Sequence, residues 1–589
     1  MSSYLITSKI KSLSKTDRII TMFTFTLTQI ILSFLICGLF FELSLVNLCI
    51  LSLIILFICW VIPVKKKEQT RFSFTFKSIG FWPWICFLIA LVQYVYNLYL
   101  IYLLPSFTYD SMSYHLVSAA YWIQQKEILL TPYDIWTNVY PQNAEVVFGW
   151  IMLVLGNDTW VELGQMFFLL GGVLAVYGIA RVLSFNIGYS VAAASLFAAT
   201  PLIFVQANTN YVDVAFVCTF LVFLYYMLKF AFTLRSFYCL QAGLAGGIAL
   251  GIKSSAVAYL AVTMIIVFIY ISPHVFKQQR RIHFILKHVI LLVIPIGLIG
   301  TFWYMRTWYY YGNPIYPFTV EIAGHTIFEG KGSVNDLIMV SNTPKEILDL
   351  PWWKKLFISW NSEPNYYRYD QGLGGLGLQW LYCLFPAVLL SFALAIEKRA
   401  KEFMLFCIIL ISIFLIQPSN WWSRYTLSLV PLGTVSLIFL LHSTSFKSLK
   451  AMVQSLVVVL TLISTYYAWP HAFFFKDSIS QAQSLSPDER TIGKLVWRDF
   501  EWIDSLPPSN IGIIRSEQPF TYPLFGNDWR NHVFMLESVD KKETFFSNIS
   551  THAIEYMFLK KGTEQHVWAS QRFKNVLYEN ENFTVFQIY

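Results

Sequence analysis

Long apolar runs recur along most of the chain, separated by short polar segments, and the pattern changes after residue 470. Thirteen stretches have the apolar length expected of membrane spans, near residues 19–41, 44–64, 79–104, 159–181, 187–206, 211–230, 238–252, 255–272, 288–308, 376–396, 402–417, 424–443 and 450–470. The pair 238–252 and 255–272 also reads as one broken helix, because Gly243, Gly246, Gly247 and Gly251 interrupt its first half. The apolar stretch 145–156 is too short to span and reads as interfacial or re-entrant. Beyond residue 470 the spacing predicts a helix near 491–505 and strands at 511–515, 532–536 and 555–559. A helix near 563–571 and a terminal hairpin around Asn580 follow, which together make a small α/β unit. No internal repeat or low-complexity tract is visible.

The chain therefore divides into a helical membrane domain, 1–470, with two sizeable loops at 105–158 and 309–375, and a small α/β domain, 471–589. Composition agrees. Of 589 residues 56% are apolar and only 13% charged, against about 25% charged in soluble proteins. That excludes a soluble multidomain chain, a disordered chain and a coiled coil. The net charge of +8 is spread over many short loops rather than gathered on one basic face, so nucleic acid is not an expected partner. All eight cysteines lie in or beside apolar runs and none follows a CxxC pattern, so they read as small buried hydrophobes. The first run follows Lys9, Lys11, Lys15 and Arg18 with no small-residue cleavage site, and reads as a retained span.

Charge then predicts orientation. With the N-terminus cytoplasmic, the inner loops carry Lys65, Lys66, Lys67, Arg71 and Lys77, then Lys277, Arg280, Arg281 and Lys287, then Lys398, Arg399 and Lys401. The loop 105–144, predicted outside, holds only Lys126 as a cation. Lysine and arginine beside spans stay cytoplasmic, so an odd span count and an outer C-terminal domain follow.

Ionisable groups in or near the membrane are costly and are functional candidates. Asp110, Glu145, Asp213, Arg306 and Arg424 all fall at predicted outer span ends or in outer loops. Carboxylates and guanidinium groups on one side suit a site that holds an anion and also needs a base. Asp110 opens a helix-like stretch, and reads as a general base, a metal ligand or an N-cap. His115, about 140° around a helix from Asp110, reads as either a site residue or a packing residue. Glu145 reads as an orienting group or a helix cap. Asp213, a lone carboxylate at a span entrance, needs a partner, and Lys253 is a candidate for that pairing or for snorkelling. Arg368 and Asp370, before the glycine-rich 371–377, sit in a linker or a gating loop.

The string Asp110-Ser-Met-Ser-Tyr-His-Leu116, followed by Trp122-Ile-Gln124 and Tyr140-Pro-Gln-Asn-Ala-Glu145, resembles the first outer loop of bacterial GT-C glycosyltransferases. These are polyprenyl-phosphate-sugar-dependent membrane enzymes related to protein O-mannosyltransferases and aminoarabinose transferases. The resemblance continues in order through Asn210-Tyr-Val-Asp213, Ala249-Leu-Gly-Ile-Lys253, Trp303-Tyr-Met-Arg-Thr-Trp308, Tyr311-Gly-Asn-Pro-Ile-Tyr-Pro317, Ser423-Arg-Tyr-Thr-Leu427 and Tyr522-Pro-Leu-Phe-Gly526. It implies a GT-C fold of about thirteen transmembrane helices with the active site outside the cytoplasm of a bacterial cell. It implies that Asp110 is the base or orients the acceptor, and that Arg306, Arg424 and Lys253 hold the lipid phosphate. Tyr109, Tyr114, His115, Glu145 and Asp213 complete the expected substrate-binding set.

The resemblance also has gaps. The Asp-x-Asp pair and the Trp-Trp-Asp motif of oligosaccharyltransferases are missing from these loops: Lys354 follows Trp352-Trp353, and Ser423 follows Trp421-Trp422. Asp110 is followed by Ser111 rather than the glutamate frequent in protein mannosyltransferases. The expectation is an inverting transfer of one sugar from a polyprenyl-phosphate donor to a lipid, glycan or protein acceptor, with no cofactor required and no divalent metal indicated. A lipid-linked glycan polymerase or ligase, and a lipid or solute transporter, are the alternatives.

Overall fold

The computed structural model describes residues 1–10, 13–61, 79–277, 279–362, 368–370, 372–469, 476–515, 517, 520–526 and 528–589. The basic loop 65–78 and the domain boundary at 470–471 lie outside the described residues. Helices stand at each of the thirteen predicted stretches. Among the described residues eight are long and apolar enough to cross a membrane, by length and composition. The chain is a multi-pass helical membrane protein.

The Asp213–Thr233 helix runs through the middle of the bundle, almost wholly buried, between the Leu163–Val182, Ser236–Leu250 and Ala256–Val275 helices. A helix apolar on every side belongs in such a central position. Ser236–Leu250 is one unbroken helix, and Ala256–Val275 is a second. The glycines read as interruptions serve close packing instead. A Cβ on Gly243 would lie 2.8 Å from the Leu291 and Leu292 carbonyls, and one on Gly247 2.8 Å from the Pro295 carbonyl. Small residues let the Arg281–Gly300 helix approach the backbone, the usual basis of helix association where lipid supplies no hydrophobic drive.

The stretch 145–156, expected to be interfacial or re-entrant, is a 13-residue helix, Asn143–Leu155, buried along most of its length. It packs on the Lys15–Phe40, Leu116–Gln125 and Leu163–Val182 helices.

Between residues 309 and 375 a small antiparallel hairpin, β1 (Val320–Ile322) and β2 (His325–Phe328), precedes a π-helical turn, Asn335–Val340, and the helix Trp352–Trp360. The C-terminal domain carries a five-stranded sheet, β3 (Asn510–Ile514), β4 (His532–Leu536), β5 (Tyr556–Lys560), β6 (Val576–Glu579) and β7 (Phe583–Gln587), in the order β4-β3-β5-β7-β6. β3 is parallel to β4 and β5, while β7 is antiparallel to β5 and β6. Alternation assigns the two faces. Ile511, Ile513, Val533, Phe558 and Val585 join the core that continues into the helical bundle. Ile514, Leu536, Leu559 and Phe586 form a second core with the helices Lys542–Thr551 and Glu564–Arg572. Lys542–Thr551 has no counterpart in the sequence reading, because its polar serines and threonines mask the Phe545, Phe546 and Ile549 stripe.

The domain is bound to the bundle by directed contacts. Tyr522 donates to Asp158 at 2.6 Å, Trp497 to the Phe107 carbonyl at 3.0 Å, and Gln124 to the Trp529 and Asn531 carbonyls at 3.0 and 2.8 Å.

Candidate active site

The helix Phe81–Leu103 stops before Pro105, since the residue ahead of proline disfavours helical backbone. The chain restarts as a helix at Tyr109, and its first turn, Ser111–His115, is π-helical. A π turn carries one extra residue and redistributes side chains around the axis. Here Asp110, Ser113 and Tyr114 line a cavity of about 590 Å³, while Ser111, Met112 and His115 are buried. Ser111 is held from two directions: its hydroxyl bonds Thr108 at 2.5 Å and accepts the Asn210 N–H at 3.2 Å. Ser106 donates to the Asn210 side chain at 2.9 Å and also meets Glu162. The loop carrying Asp110 is thereby stapled to the segment carrying Asp213.

Four charged groups converge at the cavity floor. Arg424, in the short turn Ser423–Thr426, donates from Nη2 to Asp110 at 2.5 Å and from Nε to Asp213. Lys253 donates to the other Asp213 oxygen. Asp213 is buried at the N-terminus of its helix, where free N–H groups favour a carboxylate. Lys253 lies just past Gly251, whose carbonyl accepts the Asn143 N–H at 2.7 Å. A Cβ on Gly251 would collide with the Asn143 side chain, so glycine permits this approach. Aromatic faces back both cations: Arg424 lies over Tyr211 at 4.2 Å from the ring centroid, and Lys253 over Tyr425 at 4.4 Å. Within this cluster the two carboxylates balance the two cations.

The cavity walls are aromatic and polar. Tyr109, Trp136, Tyr140, Tyr211, Trp422 and Tyr425 line it, with Asp134, Asp370 and, from the C-terminal domain, Arg515, Thr521 and Met535. Burial, and then the neighbouring Asp110, push the Tyr114 phenol well above its ordinary range. Burial, Tyr425 and Asp110 do the same for Tyr140. Both phenols therefore keep their protons at neutral pH. A second crevice of about 620 Å³ runs beside the cavity, lined by Met339, Val340, Leu348, Trp352, Leu415 and Ile416 among others. Residues 335–342 form the partition, with Leu337, Ile338, Ser341 and Asn342 on the cavity side.

The residues singled out from sequence thus divide into two groups. Tyr109, Asp110, Tyr114, Asp213, Lys253 and Arg424 meet at the cavity or its floor. His115, Glu145 and Arg306 do not line it. His115 Nδ1 and Glu145 form a buried pair at 2.6 Å, beneath Tyr114, whose ring centroid is 4.3 Å from the imidazole. Arg306 is buried over Trp303 and donates from Nη2 to the Asn138 carbonyl at 2.5 Å and to Gln142 at 2.9 Å. It holds the turn that carries Trp136 and Tyr140. Of the alternatives for Lys253, the structure shows the pairing with Asp213, and Asp370 lies on the cavity lining. Tyr211, Trp422, Tyr425 and Arg515 are additional cavity residues that the sequence does not single out; Tyr211 and Tyr425 lie near Asp213 and Arg424 in the chain, while no local signal marks Arg515. Among the described residues no three His, Cys, Asp or Glu side chains group closely enough to hold a metal ion.

No protein-family model and no curated protein matches the chain. Among solved structures, it resembles ArnT from Cupriavidus metallidurans in the apo state, with a TM-score of 0.52 and 12% identity over 85% of this chain and 97% of that one. The same ArnT bound to undecaprenyl phosphate gives a TM-score of 0.47 at 12% identity, over 86% and 97%. The archaeal oligosaccharyltransferase AglB from Archaeoglobus fulgidus, in complex with an inhibitory peptide and a dolichol-phosphate, gives 0.44 at 12% identity, over 84% and 73%. At this identity the likeness to apo ArnT is one of fold, and it covers nearly the whole of that chain. The protein shares its fold with apo ArnT: a polytopic helical membrane domain with a small C-terminal sheet domain.

Proposed function

We propose that this protein is an inverting glycosyltransferase that moves a sugar from a polyprenyl-phosphate donor to a hydroxyl acceptor outside the cytoplasm. The observation that carries this reading is the single guanidinium of Arg424 joined to both Asp110 and Asp213, with Lys253 alongside, on the floor of a cavity beside the bundle. The ordered motifs of the loops and the shared fold support the same class.

The chemistry follows from the charges. A donor phosphodiester carries one negative charge and leaves as a phosphate with more. Its oxygens compete with Asp110 for Arg424 Nη2. Once they engage the guanidinium, the Asp110 carboxylate is free to accept a proton. The acceptor oxygen attacks the anomeric carbon as the carbon–oxygen bond to phosphate breaks. The electron pair leaves with the lipid phosphate, and the acceptor proton passes to Asp110. Arg424 and Lys253 stabilise the growing charge in a partly dry site, where fixed donors act most strongly. Asp213 keeps both cations in place. One displacement inverts the anomeric centre. The apolar crevice beside the cavity suits the first isoprene units of the donor. No metal is needed in this scheme, because two protein cations meet the phosphate.

The test is direct. Purified protein is incubated with a panel of labelled polyprenyl-phosphate sugars and a crude membrane acceptor fraction. Release of polyprenyl phosphate with labelled product of inverted configuration is expected for one donor. Failure of every donor to turn over would refute the reading.

A further inference from the structure

The cavity has two parts of different character. Arg424 stands on its lining, and Lys253 lines a small adjoining pocket that shares Arg424 and Tyr425 with it, so the two cations are placed to meet a lipid-borne phosphate. Another part of the wall is built from the 134–140 turn and residues of the C-terminal domain. Tyr140 lines the same cavity as Asp110, Arg424 and Asp134.

On that part of the wall Trp136 and Tyr140 stack, with ring centroids 5.1 Å apart and planes 22° from parallel. Both are half-buried rather than packed away. Asp134 holds the Trp136 N–H at 2.9 Å and itself lines the cavity. The turn is fixed from below by Arg306 through the Asn138 carbonyl and Gln142. It is fixed from above by the C-terminal domain: Arg515 donates to the Tyr133 carbonyl at 2.7 Å and to Glu537 at 2.6 Å, and Tyr133 donates to the Val533 carbonyl at 3.2 Å. A rigid, partly exposed aromatic surface beside a carboxylate, a hydroxyl at Thr521 and a guanidinium at Arg515 matches a sugar ring. The ring's C–H face packs on the aromatic surface and its hydroxyls bond the rim.

We infer that Trp136, Tyr140 and Asp134, closed over by Arg515 of the C-terminal domain, form the acceptor subsite, and that the acceptor is a saccharide. This rests on the proposed glycosyl transfer, and it assigns to the C-terminal domain the role of completing the acceptor wall.

The test compares wild type with Trp136→Ala, Trp136→Phe and Asp134→Asn. Octyl glycosides of several sugars and a serine- and threonine-containing peptide serve as acceptors, with the donor that turns over. The expected result is transfer to a glycoside and not to the peptide. Trp136→Ala should raise the acceptor KM about tenfold or more, with the donor KM within about twofold, and Trp136→Phe should recover most of the loss. Transfer to the peptide alone, or equal rises in both KM values, would overturn the inference. So would an unchanged acceptor KM in Trp136→Ala. If no donor turns over, saturation-transfer NMR of the same glycosides on the folded protein decides independently. Binding lost in Trp136→Ala and kept in Trp136→Phe supports the subsite even as the transfer chemistry fails, and no binding to wild type overturns it.

Discussion

Arg424 donates to the carboxylate of Asp110 at 2.5 Å across 314 positions of sequence, while its Nε holds Asp213. One side chain thus ties the first loop to the buried end of the central helix. It also means that the proposed base and the proposed phosphate ligand neutralise each other until a donor arrives.

Replacing Arg424 separates the two roles. Arg424→Lys keeps the charge but cannot reach both carboxylates through a planar fork. Steady-state kinetics should show kcat lower by about 100-fold, the scale of losing a fixed donor to the leaving group. A kcat within about threefold of wild type would remove Arg424 from the transition state.

Asp213 touches no space that an acceptor would occupy, yet it partners both cations. Asp213→Asn leaves Lys253 and Arg424 short of a buried counter-charge, which is strongly destabilising in a low-dielectric setting. The expected outcome is a lower melting temperature in detergent together with weaker donor discrimination. Unchanged melting and unchanged donor KM would contradict the pairing.

His115 and Glu145 should behave differently from Asp110. They form a buried pair under Tyr114 and line no part of the cavity. Glu145→Gln keeps a hydrogen-bond acceptor for the imidazole, so donor KM should stay within about twofold while stability falls by about 1 kcal/mol. A pH–rate profile lacking one limb in Glu145→Gln would instead place the pair in proton transfer.

Asp158 gives a pH dependence with a definite sign. Burial against the C-terminal domain raises its carboxyl above the ordinary 3.8, although the Tyr522 hydrogen bond opposes this. The folded chain then binds that proton more tightly than the unfolded chain. The resulting stability is full below 3.8 and is lost as pH rises through the raised value. Thermal unfolding followed from about pH 4 to 7 should therefore decline more steeply in wild type than in Asp158→Asn. Parallel curves would show that Asp158 is not desolvated.

Much of the fold is legible in sequence because each span is an apolar run, and apolar length alone locates a helix in lipid. The five strands of the C-terminal domain follow from alternation in the same way. The site is only half legible. Asp213 and Lys253 announce themselves as costly charges near spans, and pairing is the physical remedy. Asp110 and Arg424 carry no mutual signal, since nothing local relates positions so far apart. His115 and Arg306 illustrate a different limit. Sequence places a charged or titratable group on a helix, but which way it points depends on neighbours. For His115 the π turn shifts the angular spacing that an α-helix would give, and for Arg306 the turn at 137–142 captures the guanidinium. Arg515 reaches the cavity only through the docking of the C-terminal domain, which no pattern in the chain encodes.

In the proposed transfer Asp110 is a base released from Arg424 when the donor phosphate binds. Asp110→Asn keeps the side chain's shape and removes the basic oxygen. With the donor that wild type uses, donor binding should persist while single-turnover transfer falls by about 100-fold or more. Transfer undiminished in Asp110→Asn would contradict the account and leave Asp110 as no more than the counter-ion of Arg424.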